Sequence, residues 1–209
     1  MNKIFENNQV ELVGEVSKEA VFSHEVFGEG FYLIEVNASR TSGINDVIPV
    51  TISERMCNVK ELRTGQRLKI YGQFRSFNCH EEKRHRLILS VFARELEFLD
   101  DLEDSLEAND IFLDGYICKS PIYRKTPLGR EIADVLVAVN RSYGKSDYIP
   151  CICWGRNAVF ASGFEVGTHV QISGRIQSRE YVKKLSETES ETRVAYEVSV
   201  SKVEVVDEN

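Results

Sequence analysis

The strongest constraint on this chain is that it repeats itself. Gly14 in "VELVGEV" is matched by Gly115 in "IFLDGYI", and Gly28/Gly129, Arg40/Arg141, Pro49/Pro150 and Arg55/Arg156 keep the same offset of 101 residues. One inserted residue further on, Gly65/Gly167 and Gly72/Gly174 keep an offset of 102. So many glycine, proline and arginine coincidences at one spacing mark a tandem duplication, and each unit must bury its core within half of 209 residues. The spacing divides the chain into a first unit over residues 1–98, a linker over 99–109 and a second unit over 110–209. The linker lies within "LDDLEDSLEAND", which carries Asp100, Asp101, Glu103, Asp104 and Glu107.

Each unit reads as strands. The second predicts strands over Ile111–Cys118, Ala133–Val139 and Tyr148–Trp154, then a short helix near Asn157–Phe164. Strands at His169–Tyr181 and Arg193–Val206 follow, separated by the polar loop "KKLSETESET". Five strands with a helix between the third and fourth suit a small Greek-key barrel. The expected fold class is therefore all-β, as tandem OB folds, two five-stranded Greek-key β-barrels. Gly72 and Gly174, each in mid-strand, are expected to mark the tight bend of a small barrel.

Composition removes several classes of function. The net charge of −7 argues against a generic basic nucleic-acid binder, but the excess is local. Residues 1–108 carry 13 basic and 19 acidic side chains, a net of −6, and residues 109–209 carry 13 and 14, a net of −1. No apolar run approaches the roughly 20 residues needed to cross a bilayer, and the N-terminus lacks a signal-peptide pattern. A cytoplasmic location is expected, with no membrane partner. Cys57, Cys79, Cys118, Cys151 and Cys153 are odd in number and lack CxxC spacing, which fits neither a disulfide framework nor a zinc site. Cys151 and Cys153 share a strand face and are expected as buried thiols. No metal and no cofactor are expected. Without HExxH, a phosphate-binding GxxxxGK[ST], a nucleophile elbow or paired carboxylates in a motif, the chain is not expected to be an enzyme.

What remains is the pattern on the strand faces. In "ISGRIQSREY", Arg175, Gln177, Arg179 and Tyr181 share one face. In "IYGQFRSFN" and the lysine before it, Lys69, Tyr71, Gln73, Arg75 and Phe77 do the same. In "YIPCICW" the Ile149, Cys151 and Cys153 face is apolar, which leaves Tyr148 and Trp154 outside. An outward aromatic can stack on an unpaired base for roughly 1–3 kcal/mol. Interleaved guanidiniums neutralise phosphates and make the affinity salt-dependent.

Residues 134–181, "DVLVAVNRSYGKSDYIPCICWGRNAVFASGFEVGTHVQISGRIQSREY", resemble the central block of bacterial single-stranded DNA-binding proteins. That block has an "AVNR" strand, an aromatic hairpin, a "WG" strand end, a helix, and a "G-x-x-V-x-I-x-G-R-[IL]-Q-[ST]-R" strand closed by an aromatic. The duplicated plan further resembles a clostridial-type form with two OB folds per chain. The resemblance implies that Tyr143, Tyr148, Trp154 and Tyr181 stack on bases. It also implies that Arg141, Lys145, Arg156, Arg175, Arg179, Lys183 and Lys184 line the path of single-stranded DNA. Family members present four such folds per assembly, so a homodimer is expected here. The implied setting is replication, recombination or repair.

The first unit departs from the pattern. Ser42, Val47 and Ser53 stand where the second unit has Tyr143, Tyr148 and Trp154. It keeps Arg40 and Arg75, adds Tyr71 and Phe77, and carries "KRHR" with Lys83, Arg84 and Arg86. These seven residues form a secondary candidate set, and the first unit reads as degenerate for base stacking. The ending "SKVEVVDEN" lacks the acidic, phenylalanine-ended tip of the family, which makes the usual tail-mediated protein partners doubtful. Two other readings share these residues: an OB-fold interaction module in a replication or restart complex, and a binder of single-stranded RNA.

Overall fold

The computed structural model describes residues 7–40, 42–81, 84–100, 107–184 and 190–206. The described residues form two closed barrels of the same design. The first is built from β1 (Asn8–Val26), β2 (Glu29–Ser39), β3 (Asn45–Ser53), β4 (Arg67–Glu81) and β5 (Arg84–Phe98). The second comprises β6 (Asn109–Lys125), β7 (Glu131–Asn140), β8 (Ser146–Trp154), β9 (His169–Lys184) and β10 (Ser190–Val205). In each, the first strand pairs with the second and fourth, the third pairs with the fifth in parallel, and the fifth returns to the fourth. The second barrel repeats those pairings strand for strand. This is the OB topology expected from the sequence, present twice.

Alternation builds both cores. Ile48, Val50 and Ile52 of β3 are fully buried, as are Ile149 and Cys153 of β8, and Cys151 nearly so. Burying a side chain of this size contributes roughly 1.5–3 kcal/mol. Gly72 and Gly174 both sit beside a β-bulge, at Tyr71/Gly72 and opposite Val200/Lys202 respectively. A Cβ at either would press on a carbonyl oxygen of the neighbouring strand, Phe92 or Ser199. The glycines thus allow the backbone approach that bends each barrel shut.

Two elements differ from expectation. The helix α1 covers Arg156–Ala161 and stops short of Phe164. Beyond Ala161 the backbone bonds tighten to i→i−3, with Gly163 N–H donating to Phe160 and Phe164 N–H to Ala161. The first barrel has only a 3-10 turn at this place, Val59–Glu61, capped by Asn58. Lys183 and Lys184 belong to β9 rather than a loop, paired with Glu191 and Ser190. Of the linker, residues 101–106 lie outside the described residues.

The barrels are joined edge to edge. Antiparallel pairing of β1 with β6, from Asn8↔Leu113 to Leu12↔Asn109, makes one continuous sheet through both. Polar side chains complete the joint with near two-fold symmetry. Asn8 exchanges two hydrogen bonds with the Phe74 backbone at 2.8 and 2.9 Å, and Asn109 does the same with Ile176. Two seams result, one between β4 and β8 and one between β9 and β3.

Candidate nucleic-acid interface

The outer face of β8 carries Tyr148, Pro150, Ile152 and Trp154, opposite the buried Cys151 and Cys153. Tyr148 is 41% exposed and Trp154 38%, large values for the biggest side chains of a strand. Tyr181 of β9, 37% exposed, lies opposite Arg193 of β10. The Arg179 guanidinium is 6.0 Å from the Tyr181 ring centroid and 3.5 Å from Glu197. Tyr143 is held in a turn over Ser142–Gly144 with φ 63°, a left-handed conformation costly for a side chain with a Cβ, and it is 99% exposed. Lys145 follows it, and Arg156 opens α1; both are exposed.

Between the barrels lies a cleft of about 970 Å³. Pro49, Thr51, Phe77 and Ile88 line it from the first barrel, and Pro150, Tyr181 and Tyr196 from the second. Lys183, Arg193 and His24 add basic groups, and Glu35 one carboxylate, to an otherwise mostly apolar lining. Aromatic walls, an apolar floor and cations suit an unpaired base with its phosphate. The cleft thus brings Tyr181 and Lys183 together with Phe77, a residue of the secondary set. Lys184 is exposed one residue beyond.

Four of the predicted arginines are placed at the seams. At the β3–β9 seam, Asp46 is fully buried and accepts two hydrogen bonds from Arg40, at 2.6 and 2.5 Å, and one from Arg175 at 3.2 Å. Its Oδ1 also accepts the Ser178 N–H at 2.8 Å. At the β4–β8 seam, Asp147 is 1% exposed, pairs with Arg141 at 3.2 Å and accepts the Ser76 N–H at 2.8 Å. Arg75 lies beside this seam. The hydrogen bonds that Arg40 donates to Asp46 raise the Arg40 pKa, whereas burial and the nearby Arg40 lower that of Arg175. Of the four, Arg175 bonds across to the other barrel, whereas Arg40 and Arg141 each brace a carboxylate of their own barrel that accepts a backbone N–H from the opposite one.

The rest of the secondary set scatters. Tyr71 shares strand alternation with Arg75 and Phe77 but lies in a different groove, beside Gln9, Asp110 and Phe112. There its hydroxyl donates to Glu11 at 3.3 Å and the Lys69 ammonium sits 5.0 Å from its ring. Lys83 lies outside the described residues, and Arg84 and Arg86 are at the start of β5.

Sequence reasoning passed over the residues that build the seams. The signal was present in the repeat: Asn8/Asn109 and Asp46/Asp147 keep the 101 offset, and Ser76/Ser178 the 102. Buried polar groups duplicated with the fold are hydrogen-bonding partners by economy, since an unpaired one costs roughly 1–3 kcal/mol. Phe31 of β2 and Phe92 and Arg94 of β5 were also passed over, because they meet only across strands far apart in sequence.

Comparison with known proteins gives a consistent set of likenesses. Residues 108–206 match the model of the "Single-strand binding protein family". Single-stranded DNA-binding protein B of Bacillus subtilis is 36% identical over 80 residues, which are 35% of this chain and 71% of that protein. Single-stranded DNA-binding protein 2 of Listeria innocua is 35% identical over 80 residues, again 35% of this chain; the chain spans half the length of that relative. Across 97% of the chain and 94% of its counterpart, the fold matches the crystal structure of the wild-type single-stranded DNA binding protein from Thermus aquaticus. The TM-score is 0.78 at 18% identity.

Proposed function

This chain belongs to the single-strand binding protein family, and on that premise we propose that it binds single-stranded DNA without sequence preference. The observation that carries the reading is the outward placement of Tyr148, Trp154 and Tyr181 beside a basic-rimmed cleft. Each exposed ring takes an unpaired base, at roughly 1–3 kcal/mol per stack. Arg179, Lys183, Lys184, Lys145 and Arg156 meet the phosphates between them. Arg141 and Arg175 present to the strand what their carboxylate partners leave. Duplex DNA is refused because its bases are already stacked on one another.

The setting proposed is the cytoplasm, in replication, recombination or repair, and the working unit a homodimer with four barrels. Nothing in this mechanism calls for catalysis. No described helix is long and apolar enough to cross a membrane.

Trp154 is the single tryptophan and reports directly on the site. Titration with oligo-dT is expected to quench its fluorescence stoichiometrically, more strongly at low salt, with duplex DNA inert and Tyr181→Ala weakened. A parallel oligo-U titration tests the sugar, which stacking alone does not distinguish. A flat oligo-dT titration at low salt overturns the proposal and returns the barrels to a protein-interaction role.

A further inference from the structure

The first hairpins of the two barrels keep their exposed apolar residues and exchange their charge. The β1–β2 hairpin carries Val21, Phe22 and Phe27; the β6–β7 hairpin carries Ile122, Tyr123 and Leu128 at the positions 101 residues further on. All six are exposed. At the tips Phe27 is 101% exposed and Leu128 87%, so the two do not meet within one chain. The charge around them inverts. Residues 21–30 hold Glu25 and Glu29 and no lysine or arginine, a net of −2. Residues 122–131 hold Arg124, Lys125 and Arg130 against Glu131, a net of +2.

Phe27 is not the residue its turn asks for. Val26 lies opposite Glu29, so Phe27 and Gly28 form a two-residue turn, with φ 50° and 75°. Positive φ at both positions belongs to the type I′ turn, which favours asparagine, aspartate or glycine. A phenylalanine there strains the backbone and leaves a ring in water at once. Strain held at an exposed position points to a contact outside the chain. Leu128 sits in a wider turn, closed by the Thr126 N–H on the Arg130 carbonyl at 2.9 Å. Some of the charge is already matched within each hairpin or beside it. Glu29 is held by Arg55 at 3.2 Å, Arg124 by Asp134 at 3.1 Å, and Lys125 lies 3.7 Å from Glu131. Glu25, two residues before Phe27, and Arg130, two residues after Leu128, have no ion pair among the described residues.

We infer that the β1–β2 hairpin of one copy docks on the β6–β7 hairpin of a second copy, Phe27 against Leu128, with Glu25 and Arg130 pairing across the contact. Charge selects this combination. Two first hairpins would set Glu25 against Glu25, and two second hairpins Arg130 against Arg130, and like charges brought together disfavour both. The contact joins two different surfaces, so each added copy leaves one hairpin of each kind free, and the assembly grows as an open chain or closes as a ring. Tips of this size cover less than the about 1,000 Å² of a stable interface. The docking is therefore reversible and fills at high protein concentration.

Sedimentation velocity on the full chain without DNA tests the docking independently of the proposed function. The weight-average mass of the wild type is expected to rise beyond that of a dimer as protein approaches about 1 mM, a range that populates contacts of millimolar dissociation constant. Phe27→Asn, which suits the turn better than phenylalanine, should abolish the rise, and so should Arg130→Glu. Glu25→Arg combined with Arg130→Glu in one chain should restore it. In a mixture of isotopically light and heavy chains, a carbodiimide should couple Glu25 or Glu29 of one to Lys125 of the other. No rise in the wild type, or a rise that either single variant keeps, overturns the inference. If Arg130→Glu keeps the rise and instead weakens oligo-dT binding, the second hairpin contacts DNA rather than a second copy.

Discussion

The backbone N–H of Ser76 donates to Asp147 Oδ1 across the seam at 2.8 Å, joining two barrels through a side chain with 1% of its surface exposed. The same bond is repeated between Ser178 and Asp46 at the other seam. Each carboxylate thus carries a guanidinium and a backbone donor at once, which makes the joint specific to this orientation of the barrels.

Asp147→Ala removes both bonds and leaves Arg141 and the Ser76 N–H without their acceptor. Loss of one partner from a buried pair costs roughly 3–5 kcal/mol. Urea unfolding is expected to show a loss near the lower end, because Arg141 keeps partial contact with water. Unfolding as stable as wild type would mean that the seam contributes little.

Arg75 is expected to weaken the fold it serves. Its counterpart in the second barrel is Gln177, and burial together with Arg141 and Arg94 lowers the Arg75 pKa to about 10. Arg75→Gln should therefore raise stability by about 1 kcal/mol, after discounting for screening. A variant less stable than wild type by thermal unfolding would show that Arg75 packing on Phe92 outweighs the charge repulsion.

The buried thiols set a limit at alkaline pH. Burial pushes the Cys153 thiol up to about 12 and raises Cys151 as well. A folded-state pKa above the unfolded value favours the protonated form in the folded protein. Its stabilising contribution is complete below pH 9 and is lost as pH rises toward 12. Stability measured by urea unfolding should fall across that window, and Cys153→Ala should fall less steeply over the same range. Parallel slopes would assign the decline to other groups.

Tyr143 exchanges stability for exposure. Left-handed backbone at a residue with a Cβ costs roughly 1–2 kcal/mol, and Tyr143 has φ 63°. Tyr143→Gly should raise the melting temperature and weaken oligo-dT binding, by up to about 3 kcal/mol if the ring stacks on a base. A variant that binds as tightly as wild type would remove Tyr143 from the interface.

Much of the molecule was legible along the chain. Offsets of 101 and 102 located two units, the alternation of "YIPCICW" placed Cys151 and Cys153 inside and Trp154 outside, and Gly72 and Gly174 marked the bends. These are local facts, since strand alternation has a period of two and a glycine's lack of Cβ acts within its own contacts. What only the tertiary structure decided lies between strands far apart in sequence. Asp46 meets Ser178 and Asp147 meets Ser76, so arginines read as free to face a phosphate are partly held by carboxylates. Tyr71 and Phe77, alike by alternation, part company because β4 curves from one groove to another. Arg94 reaches Phe92 and Arg75 through a bulge that no spacing announces. The cause is common to all three. Which side chains meet across a closed barrel depends on register, bulges and curvature. Those are set by the backbone hydrogen bonds and packing of the whole sheet at once.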